Sequence, residues 1–151
     1  MKSGSDKNFS SPLKGKTFST LLTCQQKMSY NISREMKVFG ITRQQYEVLR
    51  ILKNQPDQPM NLNEVKSHLR ENVPDISRIV QRLVEKRLIN RARQSDDRRN
   101  SAISINKKGI ILIEEIEPVI KNMMDNFFGV LSPEELQELS RIVSKINQNN
   151  D

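Results

Sequence analysis

The sequence has no tryptophan, one cysteine, one histidine and only 5% aromatic residues in 151 positions. No apolar run is long enough to cross a bilayer. Each shortage excludes something. A lone Cys24 allows no intrachain disulfide and no cysteine metal cluster. A lone His68 leaves the usual zinc ligand sets and a triad built around a second histidine without their parts, so no metal site is expected. No acid/base pair stands at an informative spacing from a nucleophile, which argues against an enzyme and names no catalytic residue and no cofactor. The N-terminal MKSGSDKNFSSPLKGK is charged but is followed by no apolar stretch, so it is not a secretory signal, and a cytoplasmic, reducing compartment is the expectation.

What the sequence does have is charge, unevenly spread. Residues 66–108 carry twelve Lys/Arg against five Asp/Glu, a net of +7. Residues 109–151 carry three against eight, a net of −5. A basic block of this density suits a polyanionic partner, although solubility alone would also account for it.

Periodicity organises the chain. Residues 1–15 are rich in Ser, Lys and Gly and read as a mobile tail. Phe18, Leu21, Leu22, Met28, Ile32, Met36 and Phe39 recur every three or four residues, which predicts one long amphipathic helix ending near Gly40. Thr42 can cap a second helix, and Asn61 with Glu64 has the spacing of a capping box for a short third. A fourth helix is expected from about Asn72 to Lys86. Leu88–Arg93 and Ala102–Asn106 read as the strands of a hairpin about the polar turn 94–100. Two more helices follow. Asn106 can cap the first, which contains Pro118, and Ser132-Pro133-Glu134-Glu135 starts the last. The length of 151 residues suggests one domain, or one domain plus a helical extension.

The fourth helix carries the functional argument. At 100° per residue, Ile76, Ile79, Val80 and Leu83 share one face, and Asp75, Arg78, Gln81, Arg82 and Glu85 share the other. Packed on the short helix of Val65 and Leu69, it makes a helix-turn-helix. One of the two arginines can then reach a base edge while the other reaches a phosphate, or both can belong to an ordinary solvated face. The hairpin turn adds Arg98 and Arg99 beside Asp96 and Asp97. A cationic hairpin tip can enter the minor groove, or it can pair its own charges.

The run PDISRIVQRLVEKRLINRARQSDDRRNSAISINKKG, residues 74–109, resembles the MarR (multiple antibiotic resistance regulator) family of winged helix-turn-helix regulators. The likeness extends through Ile41-Thr42-x-x-Gln45 and Leu131-Ser132-Pro133-Glu134-Glu135 to about residues 18–147. It implies a mainly α fold with a small β-hairpin wing. Residues 41–106 would form the DNA-binding domain, and residues 16–40 with 107–148 the dimerisation helices. Double-stranded DNA and a second copy of the chain would be the partners, with a small aromatic or other small molecule as effector, and the chain would act as a repressor. Asp75, Ser77, Arg78 and Arg82 would face the major groove, Arg99 would enter the minor groove braced by Asp97, and Arg98 would lie near phosphate.

The chain departs from the family pattern at three places. Arg87 replaces the usual glycine after the recognition helix, which requires a left-handed cap at a cost or a different helix end. Asp75 replaces a small hydroxyl residue, and can accept from a cytosine, repel phosphate or complete a cap with Asn72. Lys66 replaces an alanine, which argues for a shifted or more exposed helix. Relatives that sense peroxide place a cysteine near the position of Phe18, not Cys24, whose place on the Leu21–Met28–Ile32 line points to burial. His68 reads as a surface or phosphate-adjacent residue. An effector pocket would draw on Met28, Tyr30, Met36, Phe39 and Tyr46, residues whose spacing also suits plain core.

Overall fold

A computed structural model describes residues 11–69, 73–93 and 101–149. The elements run α1 (Pro12–Val38), α2 (Arg43–Lys53), α3 (Leu62–His68), α4 (Ile76–Glu85), β1 (Ile89–Arg93), β2 (Ser101–Ile105), α5 (Lys107–Phe128) and α6 (Pro133–Gln148). The expected order of helices and hairpin is therefore met. Two starts differ. Helix α1 begins at Pro12, inside the stretch read as a tail, because Ser11 caps it by accepting from the Lys14 amide and Pro12 takes the first helical position. Helix α4 begins at Ile76, four residues after Asn72, which lies outside the described residues.

The caps form as their side chains dictate. Capping boxes start α2 (Thr42 with Gln45), α3 (Asn61 with Glu64) and α6 (Ser132 with Glu135). In each, a side-chain oxygen satisfies an orphan amide of the first turn. Asn106 caps α5 by accepting from the Gly109 amide at 3.0 Å.

Helices α1 and α4 end in the same motif. After α1, the Ile41 amide reaches back to the Met36 carbonyl and the Gly40 amide to that of Lys37, both at 3.1 Å, with Gly40 left-handed at φ 70°. After α4, the Leu88 amide reaches Leu83 at 3.0 Å and the Arg87 amide reaches Val84 at 2.8 Å, with Arg87 at φ 58°. These are Schellman ends, and in both the flanking apolar pair (Met36 and Ile41, Leu83 and Leu88) is buried. Arg87 thus takes the left-handed cap, in a region where a Cβ is disfavoured.

One apolar core joins the elements. Val48, Leu49 and Leu52 of α2, Val65 of α3, and Val80 and Leu83 of α4 meet Ile103 of β2, Ile113 and Ile116 of α5, and Met36 of α1. The winged domain and the first half of α5 therefore share a single interior. The hairpin pairs antiparallel, Ile89 opposite Ile105 and Arg93 opposite Ser101. A third, one-residue strand joins it: Met60 and Ile103 exchange backbone bonds of 2.9 and 2.8 Å. Gly109 lies against the open end of the hairpin, and a Cβ there would run into the Leu88 carbonyl oxygen and the Ile105 side chain.

The outer helices leave apolar residues in the open. Phe18 is 65% exposed on α1, and α6 buries no residue, its Leu136, Leu139, Ile142 and Ile146 all exposed. Cys24 is partly buried rather than inside the core.

Two substitutions test this packing. Arg87→Gly should raise unfolding stability by about 0.5–1 kcal/mol, since glycine removes the left-handed penalty at some cost in unfolded-state entropy. Gly109→Ala should lower it by about 1–3 kcal/mol through overpacking. Urea unfolding with an unchanged m-value checks both, and equal midpoints for the parent and Gly109→Ala would refute the close approach.

Candidate nucleic-acid interface

Helix α4 is oriented by its dry side. Ile76, Val80 and Leu83 are buried and Ile79 partly so, which turns Ser77, Arg78, Gln81, Arg82 and Glu85 to solvent. Helix α4 packs against α2, α3 and β1, so the exposed face stands on a rigid base. The guanidinium groups of Arg78 and Arg82 have no partner among the described residues. Both border a groove of about 310 Å³ between α4 and the start of α2. Gln81 instead bonds Glu85 one turn on, Nε2 to Oε1 at 3.2 Å, which partly neutralises the far end of the face.

Asp75 is the N-cap of α4, and its Oδ1 accepts from the Arg78 amide at 3.0 Å. Of the three roles open to it, the cap is the one formed in the free protein; Asn72, the suggested partner in that cap, lies outside the described residues. Capping also fixes the entry to α4, and therefore where Ser77 and Arg78 point. Ser77 is exposed on the first turn of the helix.

Asp97, Arg98 and Arg99 lie outside the described residues, between the ends of β1 and β2. The loop-side end of the paired strands is braced where Arg91 Nε donates to Ser101 Oγ across the strands at 2.9 Å, with Ser101 only 2% exposed. Sequence reasoning missed this bond, and alternation in β2 was the signal that could have placed Ser101 on the inner face. Lys66 and His68 are exposed on the seven-residue α3, with His68 Nδ1 2.8 Å from the Glu64 carbonyl oxygen.

The five residues suggested for an effector pocket do not converge. Met28 and Tyr46 line a mostly apolar cleft of about 250 Å³ between α1, α2 and α5, together with Ile120 and Phe127. Met36 is wholly buried in the core, because the Schellman end of α1 folds Ile41 over it. Tyr30 is 67% exposed, one helical face away. Phe39 borders a different cleft, beside Gly40 and Lys86. Burial holds the Tyr46 hydroxyl above the ordinary tyrosine pKa, so at neutral pH it is a protonated donor. An Arg43–Glu47 ion pair of 3.5 Å lies in the wall beside it.

Residues 31–116 match the family model of the SarA/Rot transcriptional regulators, which is more than half of the chain. The chain belongs to that family. The MarR resemblance holds as well. The chain is 25% identical over 134 residues to the HTH-type transcriptional regulator MhqR of Bacillus subtilis (strain 168), covering 89% of this chain and 91% of that one. Its fold matches that of a MarR family transcriptional regulator, AbsC of Streptomyces coelicolor, with a TM-score of 0.79 and 19% identity, covering 95% of this chain and 97% of that one, and that of two further solved structures. One is S. aureus MepR in complex with DNA, with a TM-score of 0.73 and 22% identity, covering 87% of this chain and 94% of that one. The other is Bordetella bronchiseptica BpsR, whose DNA binding is regulated by 6-hydroxynicotinic acid, with a TM-score of 0.76 and 20% identity, covering 87% and 98%. A SarA/Rot chain is a DNA-binding transcription regulator and not an enzyme. No helix of the described residues is long and apolar enough to cross a membrane.

For this SarA/Rot protein the Asp75 cap and any Asp75 base contact can be separated. Asp75→Asn keeps a capping oxygen and removes the charge, whereas Asp75→Ala removes both. The alanine variant should lose about 1 kcal/mol of stability and the asparagine variant much less. If Asp75 also reads a base, the asparagine variant will change the sequence preference in a library selection while its melting temperature stays near that of the parent.

Proposed function

We propose that two copies of this regulator bind one pseudo-palindromic operator in the cytoplasm and repress transcription by excluding polymerase. The observation that carries the paired reading is the apolar stripe of α6. Leu136, Leu139, Ile142 and Ile146 repeat at helical spacing, yet none is buried within one chain. With the exposed Phe18, Leu21 and Leu22 of α1, they form the kind of surface that a second copy covers in an obligate dimer. Each copy then offers one α4 face to the major groove through Ser77, Arg78 and Arg82, with Asp75 at its start. Arg99 enters the minor groove, Asp97 braces it and Arg98 meets phosphate. Half-sites stand about one helical turn apart, roughly 10 bp between centres.

A small aromatic effector fits the cleft between α1, α2 and α5. Its walls are mostly apolar, Tyr46 supplies a neutral donor, and Arg50 and the Arg43–Glu47 pair add charge to one wall. Regulation of DNA binding in BpsR by 6-hydroxynicotinic acid supports this class of ligand. Occupancy there acts on α1 and α5, and so on the spacing of the two α4 helices.

Sedimentation and operator shift assays test the reading. The parent should sediment as a dimer and select a pseudo-palindrome from a random duplex library. Ile142→Asp should give a folded monomer, since Ile142 contributes nothing to the core of one chain. Arg78→Ala and Arg99→Ala should each weaken operator binding on the order of tenfold or more with the dimer intact. Affinity should also fall steeply with salt. A parent that is monomeric at micromolar concentration, or an operator whose affinity ignores both arginines, would overturn the proposal.

A further inference from the structure

The recognition helix is held at its C-terminal end by the parts of the chain that lead away from the winged domain. Lys86, the C-cap of α4, extends its Nζ to the carbonyl oxygen of Gly40 in the α1–α2 turn, donating at 2.9 Å across 46 residues of sequence. The Lys86 carbonyl in turn accepts from Lys108 Nζ, on the first turn of α5, at 3.2 Å. The next carbonyl, that of Arg87, accepts from Asn106 Nδ2 at 3.0 Å. Carbonyls at a helix end lack intrahelical donors, and the dipole there favours cations. The two lysines therefore run as a chain of contacts from the end of α1, through the end of α4, to the start of α5. Helix α1 also carries part of the apolar surface assigned to the partner copy, and α5 leads to α6, which carries the rest.

We infer that Lys86 and Lys108 are positioning residues for operator recognition. They set the angle of α4 against the frame of α1 and α5, and through it the separation of the two α4 helices in the dimer. This rests on the paired reading above. Both lysines are exposed and border a solvent-open cleft of about 690 Å³. Bonds of this kind in water contribute little to overall stability. Their effect is a several-fold bias among orientations, which a stability measurement does not register but a geometry-sensitive one does.

The experiment uses the duplex that the purified parent selects, together with the same duplex lengthened by one base pair between half-sites. That insertion turns one half-site by about 35° and moves it by about 3.4 Å. The parent should prefer the original spacing on the order of 100-fold, since both α4 helices must dock at once. Lys86→Gln/Lys108→Gln should reduce that preference about five- to tenfold. Its melting temperature, dimer state, affinity for an isolated half-site and salt slope should stay unchanged. Lys86→Arg/Lys108→Arg keeps cationic donors on a long side chain, which the shorter, neutral glutamine amide does not, and should restore the preference.

A lower isolated half-site affinity, with a salt slope reduced by about 1 per lysine, would make the lysines phosphate contacts and overturn the inference. A lower melting temperature with the spacing preference intact would make them structural only, with the same result. A spacing-sensitive parent with equally sensitive glutamine variants overturns the positioning role alone. A parent indifferent to spacing overturns the paired reading and the positioning role together.

Discussion

The burial of one face of α4 is the constraint from which the interface follows. Val80 and Leu83 are fully dry, in a core closed by α2, α3, β2 and α5, and an α-helix cannot rotate about its axis without pulling such residues into water. With that face fixed, Arg78 and Arg82 have one direction left, outward. The Asp75 cap fixes the start of the helix and the Schellman end at Arg87 fixes its finish, so the arginines are placed along the axis as well as around it. Nothing in this depends on the arginines themselves, whose guanidinium groups find no partner among the described residues. The scaffold orders them and leaves them free for an external anion.

Features set by neighbours in sequence were legible in it. The capping boxes at Thr42, Asn61 and Ser132 formed because all their donors and acceptors lie within four residues. The same logic was available at Ser11-Pro12, where a polar, lysine-rich surround concealed a cap chemically like Ser132-Pro133. The division of α4 into dry and wet faces also followed from spacing alone. Arg87 marks the limit of that reading. The substitution for glycine signalled either a strained cap or another kind of helix end, and only the backbone at φ 58° decides between them.

Contacts between distant segments were not legible. The Met60–Ile103 bridge joins a one-residue strand to the hairpin, and a single residue has no periodicity to read. The residues suggested for an effector pocket were grouped by helical spacing, but spacing gives the face of a helix and not what that face meets. Met36 lies over the core and Met28 over the cleft, two turns apart on the same helix. Lys86 reaches Gly40 because the two helix ends happen to finish side by side, and no local pattern announces that.

The distribution of charge adds a last constraint. Residues 66–108 hold a net +7 around α4 and the hairpin, and residues 109–151 a net −5 through most of α5 and all of α6. A uniformly basic protein would approach DNA in any orientation. A chain with its charge segregated in this way is drawn in by one region and repelled at the other, so encounter with the duplex is biased toward the surface that carries α4. The acidic residues of α6, Glu134, Glu135 and Glu138 among them, share that helix with the uncovered apolar stripe. Repulsion from phosphate therefore helps keep the stripe off DNA and available to another apolar surface. The same sequence asymmetry thus separates the basic region around α4 from the acidic helix that carries the exposed apolar stripe.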